Sequence, residues 1–206
     1  MCGDISIIYV LRKHMFDDLI TSKTRIKILH LFFGNLEEMF HVREIVRRVD
    51  EEINAVRREL MLLDKRGILT REARANRVYY SLNPTYPFYH DLIKINAKEQ
   101  GLGRDIIKNR MKLGKIKYAM LSGDFARNLP NNGESVDLLV VGIVVLPELS
   151  LIIKKEEEMK KREINYTIMN EDEFTFRKSR RDPFISSIIF GSRVMLIGDE
   201  ESLVKE

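Results

Sequence analysis

The stretch "HVREIVRRVDEEINAVRRELMLLDKRG", residues 41–67, restricts the fold more than any other part of the chain. Val42, Ile45, Val46 and Val49 recur at i, i+3, i+4 and i+7 and form one apolar stripe of a short helix. Arg43, Glu44, Arg47 and Arg48 take its other side. Asp50 reads as the N-cap of a second helix, with Glu51 and Glu52 in a first turn where the helix dipole favours negative charge. Ile53, Val56, Leu60 and Leu63 are the expected buried face, and Gly67 the end. At about 100° per residue the opposite face presents Asn54, Arg58 and Met61, with Arg57 on the flank.

Upstream, "DDLITSKTRIKILHLFFG" places Leu19, Ile26, Leu29 and Phe33 near one helical face, with Gly34 as a stop and Thr21 or Ser22 as the cap. Residues 4–19 are then left as a separate N-terminal helix. Downstream, "TREARANRVYYSL" reads as a two-stranded hairpin. Val78, Tyr80 and Leu82 alternate with polar positions, and Asn76 tolerates a tight turn. Three helices followed by a hairpin make a winged helix-turn-helix, in which the third helix enters a DNA major groove and the hairpin flanks the backbone. Asn54 can pair with adenine and Arg58 with guanine. Arg43, Arg57, Arg71, Arg74 and Arg77 suit phosphates, which position a protein without reading sequence. The same arginines also fit a solvated surface or a protein-docking module, and Glu51, Glu52 and Glu59 would repel phosphate.

Asn83-Pro84 ends the hairpin, and Pro87 can open a helix at its first position. Tyr86, Phe88, Tyr89, Leu92 and Ile93 supply more apolar surface than a small winged helix buries by itself. Packing on the chain's own second half is one outcome. A two-fold dimer through Phe88, Tyr89 and Leu92 is the other, because operator-binding proteins are commonly symmetric. Gly101 and Gly103 bracket a break. Beyond it, residues 98–117 hold seven Lys/Arg against two Asp/Glu, while residues 41–80 hold ten against seven. The overall net charge of +4 is too mild to imply nucleic acid by itself. Lys108, Arg110, Lys112, Lys115 and Lys117 are expected on a solvated face.

No apolar run approaches the ~20 residues that span a bilayer, and "MCGDISIIYVLRKH" lacks the cleavage site of a signal peptide. Cys2 is the single cysteine, and His14, His30, His41 and His90 are scattered. A cytoplasmic protein with no membrane contact, structural metal or cofactor is expected.

From residue 115 strands alternate with helices. "KIKYAMLS", "VDLLVVG", "EINYTIMN" and "SRVMLIG" read as strands; "LPELSLIIKKEEEMKKR", "EDEFTFRKS" and "DPFISSIIF" read as helices. No P-loop, dinucleotide fingerprint, Ser-His-Asp set or zinc spacing is present. With "SKTRIKILHLF" (22–32), "NAVRRELMLLDKRGIL" (54–69), "GDFARN" (123–128) and "VDLLVVG" (136–142), the chain resembles prokaryotic regulators that join an ArsR-like winged helix to a minimal, polymerase-β-like nucleotidyltransferase domain. The first sixteen residues carry no part of the resemblance.

The resemblance implies an α/β class with a mixed sheet flanked by helices. With the reading of the residues, the chain divides into an N-terminal helical extension (1–20), a winged helix-turn-helix (21–85), a helical connector (86–113) and a nucleotidyltransferase-like domain (114–206). It places a nucleotide site at the turn of Gly123 and the strand of Asp137. In active members a serine after the glycine and the adjacent helix N-terminus hold the triphosphate, and paired carboxylates on the next strand share divalent metals. A third carboxylate follows. Here Asp124 stands for the serine, Ser135 for the first carboxylate, and Asn165 or Thr167 for the third, so Asp137 alone matches. Glu134 or Asp124 could substitute only in an altered geometry. Residual magnesium or nucleotide binding would centre on Asp137. The expected protein is therefore a DNA-binding transcriptional regulator whose second domain is catalytically degenerate and serves dimerisation, partner binding or ligand sensing. The alternatives are an active nucleotidyltransferase modifying protein or RNA, and an antitoxin-like interaction module.

Overall fold

The computed structural model of the protein describes residues 20–129 and 135–205. The expected N-terminal helix, Leu19 within it, and Glu134 lie outside the described residues. Helix α1 (Lys23–Phe33) starts at Ser22, whose hydroxyl accepts from the Arg25 amide at 3.3 Å. Strand β1 (Phe40–His41) leads into α2 (Val42–Val49), capped by His41. Helix α3 (Ile53–Lys65) follows.

Asp50 is not the cap of α3. It ends α2 with φ 50°, and Glu52 caps α3 by accepting from the Ala55 amide at 2.9 Å. A reversal within three residues requires one of them to leave the right-handed region, and a short polar side chain tolerates that best. At the far end of α3, Gly67 adopts φ 74°, with Gly67 N donating to Asp64 O and Ile68 N to Leu63 O. This is the Schellman pattern that satisfies the last carbonyls.

Strands β2 (Leu69–Arg74) and β3 (Arg77–Leu82) pair antiparallel, from Leu69 opposite Leu82 to Arg74 opposite Arg77. The positive φ of the turn falls on Ala75, not on Asn76. Phe40 of β1 pairs with Tyr80, giving the strand order β1-β3-β2. A two-residue strand is too short to show an alternation in sequence. Ile28, Phe32, Phe40, Ile45, Val56 and Leu60 form the centre of the first core, with Phe32 and Phe40 edge-to-face at 5.4 Å.

Pro87 lies in a turn before α4 (Tyr89–Glu99) and does not open it. Ile93 enters the first core, and Tyr89 and Leu92 pack against it. One extended residue, Gln100, separates α4 from α5 (Gly101–Lys108). Leu102 and Ile106 of α5 already belong to a second core.

That core is built around β4 (Gly114–Ser122), β5 (Leu138–Val144), β6 (Tyr166–Met169) and β7 (Arg193–Ile197) in the order β6-β5-β4-β7. β5 and β6 are parallel and the other pairs antiparallel, so the sheet is mixed. The strand period sorts side chains to two faces. Ala119, Leu121, Leu138 and Val140 meet α5 and α7 (Leu146–Lys160) on one side. Tyr118, Met120, Leu139 and Val141 meet α8 (Glu171–Ser179), α9 (Pro183–Phe190) and α10 (Glu200–Val204) on the other. Between β4 and β5 the chain makes one short helical turn, α6 (Gly123–Ala126).

Candidate functional site

The residues singled out from sequence lie mainly in two places. The first is the outer face of α3 with the wing. Val56, Leu60 and Leu63 point into the core, which leaves Asn54, Arg57 and Arg58 exposed one turn round the helix. Arg43 on α2 and Arg71, Arg74 and Arg77 on the wing are exposed as well. Two of the three carboxylates expected to compete with them, Glu51 and Glu59, are turned elsewhere, while Glu52 stays exposed beside Asn54 and Arg58. Glu59 accepts from Arg25 Nε at 2.7 Å and from the Ser22 hydroxyl at 2.6 Å. Glu51 pairs with Lys27 Nζ at 2.7 Å and accepts from Thr24 at 3.2 Å. Both are neutralised by α1 at the back of α3. The Lys27 hydrogen bond holds the Glu51 carboxyl below its usual range, and the backbone N–H groups of Asn54 and Ala55 do the same for Glu52.

The wing is less uniform than its arginine count suggested. Arg74 donates from Nε and Nη2 to the two oxygens of Glu72, at 2.7 and 3.0 Å, and lies 5.6 Å over the Tyr79 ring. Arg77 sits directly opposite Arg74 across the hairpin. A bidentate partner competes with phosphate for the same donor fork, so Arg74 is the less available of the two.

The second place is the turn after β4. Ser122 caps α6 by accepting from the Phe125 amide at 3.1 Å. Asp124 is exposed and pairs with Arg127 at 3.0 Å, one turn on. Gly123 donates its N–H to Ser192 O at 2.7 Å, and a Cβ there would overlap the Ser192 side chain. Its lack of a side chain is therefore used inside the fold, by the loop before β7.

Asp137 is 2% exposed and stands one residue before β5. Its carboxylate accepts from Asn165 N at 3.1 Å and faces Arg162 Nη2 at 3.8 Å. Its own N–H donates to Asn165 O at 2.7 Å, and its carbonyl accepts from Ser122 N at 2.9 Å. Asp137 thus joins the ends of three strands. Ser135 is exposed, and its carbonyl lies 3.4 Å from Asn165 Nδ2. Thr167 is registered with Leu139 within the sheet. Among the described residues no group of three His, Cys, Asp or Glu side chains is placed to hold a metal ion.

Arg162 was not singled out from sequence, although it organises this corner. It faces Asp137, donates to Leu129 O at 2.6 Å, and lies 5.0 Å over the Phe125 ring. No local pattern marks a lone arginine between a helix and a strand. Lys160 was missed for the same reason. It donates to Asn128 Oδ1, and burial pushes its ammonium below the usual lysine range, with Arg162 adding to the effect and Glu156 and Asp137 opposing it.

Of the three residues anticipated at a dimer interface, Phe88 is 60% exposed, and Tyr89 and Leu92 are half-buried. Tyr89 and Leu92 lie against the first core, where an amphipathic helix joined by a short loop closes the winged helix. Among the described residues no helix is long and apolar enough to cross a membrane.

No protein-family model matches the chain, and no curated protein matches it. Three solved structures are similar over parts of it. Reduced HlyU from Vibrio cholerae N16961 is 21% identical over 37% of this chain and 77% of its own, with a TM-score of 0.31. The ferric uptake regulator of Francisella tularensis with iron is 12% identical over 72% and 87%, with a TM-score of 0.30. Human N-acetylserotonin methyltransferase in complex with SAM is 9% identical over 81% and 42%, with a TM-score of 0.27. Similarities this slight carry no argument about function.

Proposed function

We propose that the protein is a DNA-binding transcriptional regulator whose winged helix reads duplex DNA, and whose second domain keeps a nucleotidyltransferase-like frame without the groups for transfer. The observation that carries the first part is the separation of charge on α3. Glu51 and Glu59 are held by Ser22, Thr24, Arg25 and Lys27 behind the helix, Asn54, Arg57 and Arg58 are left in front, and Glu52 alone stays exposed beside Asn54 and Arg58 as the N-cap. A helix presented this way, beside a hairpin bearing Arg71 and Arg77, fits a major groove with its flanking phosphates. Asn54 and Arg58 are the base-reading pair; Arg43, Arg57, Arg71, Arg77 and, less strongly, Arg74 are the phosphate contacts. Phe88 is the residue left to join two copies, which would set two recognition helices on half-sites about 34–36 Å apart or a multiple of it.

The second part rests on Asp137. A two-metal transfer needs carboxylates open to both ions. Here the matching carboxylate is buried against Arg162 and Asn165 N, Ser135 offers a hydroxyl, and Asp124 brings negative charge to the turn that would hold phosphate. The test has two arms. Gel-shift and footprinting on duplex DNA flanking the protein's own gene should show binding that weakens steeply with salt. Magnesium or manganese with each labelled nucleoside triphosphate should label neither the protein nor added RNA. Absence of duplex binding at low salt overturns the first part. Metal-dependent labelling lost in Asp137→Asn overturns the second.

A further inference from the structure

A cavity of about 490 Å³ lies between the two cores. Its walls come from the end of α1 (His30, Phe33, Gly34), the α4–α5 break, the α6 turn and the outer end of α7. That volume falls within the range of small-molecule sites, which are lined by apolar groups with a few placed polar ones. Phe33, Leu102, Leu121 and Phe125 give the apolar part. The polar part includes Asn96, Arg104, Asp105 and Lys155, and also Glu156 and Lys160, one turn apart on α7.

Glu156 is the unusual member. Its side chain is 5% exposed, and among the described residues its Oε2 has no hydrogen-bond partner. A buried carboxylate oxygen left in that state is costly, and such a group commonly marks a missing donor. Lys160 does not supply it. The ammonium stands 3.8 Å from Glu156 Oε1 and donates to Asn128 Oδ1 instead. Burial, and then Arg162, disfavour the Lys160 proton, while Glu156 and Asp137 favour it. One wall thus offers a carboxylate with one oxygen lacking a donor and, 3.8 Å from its other oxygen, an ammonium hydrogen-bonded to Asn128, next to an apolar chamber.

We infer that this cavity binds a zwitterion with an apolar body, an α-amino acid with an aliphatic or aromatic side chain, its ammonium on Glu156 and its carboxylate on Lys160. Neither a simple amine nor a simple acid satisfies both groups. The site is connected to the winged helix through Asn128. This residue holds φ 58° and donates Nδ2 to Gly34 O, at the end of α1, while its Oδ1 takes the Lys160 proton. A ligand carboxylate that captures Lys160 competes for one half of that tie. Occupancy is thereby communicated to α1, which packs on α3.

The inference concerns binding only and needs no DNA, so it stands or falls separately from the proposed function. The full chain is heated with each of the L-amino acids, with isoamylamine and with 4-methylpentanoate, the two single-headed analogues of leucine, and its unfolding midpoint is followed. One or more apolar amino acids should raise the midpoint by roughly 3–6 °C at ten times their dissociation constant, and the analogues should not. Glu156→Gln should abolish the shift. Should that variant fail to fold, Met159→Trp serves instead, because Met159 lines the cavity and is 59% exposed, so a larger ring obstructs entry without disturbing a core. Equal shifts with the amine or the acid, no shift with any amino acid, or a shift that survives Met159→Trp would each overturn it.

Discussion

The outer face of α3 and the Asp137 corner of the second sheet use the same materials, carboxylates beside guanidinium groups, and arrive at opposite arrangements. On α3 Glu51 and Glu59 fold back onto α1, where Ser22, Thr24, Arg25 and Lys27 hold them, and the arginines stay in solvent. At the sheet the acid is enclosed, and Arg162 and a backbone N–H are brought in to meet it. An exposed arginine keeps its donors for a phosphate or a base, because water holds them only loosely. A buried aspartate has its lone pairs committed, because leaving them unmet in a low dielectric costs more than any ligand would return. The first arrangement is suited to recognition and the second to holding strands together.

The largest expected effect tests the second half of that contrast. Asp137→Ala removes the acceptor for Asn165 N and the counter-charge of Arg162, and should destabilise the protein by about 2–4 kcal/mol. This is less than for a wholly enclosed pair, since the Arg162 side chain is 24% exposed. Urea unfolding measures it; an unchanged midpoint would mean that the carboxylate is not structural.

The next effect tests the first half. Arg58→Ala should weaken binding to the best operator by about 1–3 kcal/mol and relax preference at one base pair. Arg77→Ala should weaken all sequences alike and reduce the salt slope by about 0.9. Arg74→Ala should do less than Arg77→Ala, because Glu72 already occupies its fork, and Glu72→Gln should strengthen non-specific binding by freeing it. Equal losses on operator and random duplex for Arg58→Ala would remove it from base reading.

A smaller change concerns assembly. Phe88→Glu should fold normally and sediment as a monomer at concentrations where the parent is a dimer. A dimer that persists in this variant would move the two-fold contact elsewhere.

The smallest effect is in pH dependence: stability rises with pH in both regions, but in different pH windows. Folding lowers the Glu51 carboxyl, first through Lys27, and that of Glu52 through backbone N–H groups. A carboxyl lowered by folding stabilises above its unfolded pKa, and the contribution disappears as pH falls through the folded value. Lys160 is also lowered, chiefly by burial. A base lowered by folding holds fewer protons when folded, so stability should rise as pH climbs from that lowered value towards the ordinary lysine range. Unfolding midpoints measured from acid to alkaline pH should therefore show an acid limb flattened by Glu52→Gln and an alkaline rise removed by Lys160→Met. An acid limb untouched by Glu52→Gln would show that its cap contributes nothing.

Much of both regions was legible locally. The stripes of α2 and α3 predicted their burial, because a helix of period 3.6 must place Val56, Leu60 and Leu63 together and so Asn54 and Arg58 opposite. The alternation in β4 and β5 similarly assigned each residue to a face of the sheet. The cap of α3 was misplaced by two residues because Asp50 and Glu52 both suit the position, and the choice depended on which residue made the reversal. Glu51 and Glu59 were read as repelling phosphate because their partners on α1 are 24 to 37 positions away.

The sequence by itself determined the periodicities and the order of elements. Tertiary structure alone decided which charges meet. It buried Asp137 against Arg162, turned Glu51 and Glu59 to the back of α3, laid Tyr89 and Leu92 half-buried against the first core, and left Glu156 beside a cavity with one oxygen unpaired among the described residues. The physical reason is range. Periodicity is a property of neighbours along the chain, whereas desolvation and charge pairing depend on whatever the completed fold places within a few ångströms.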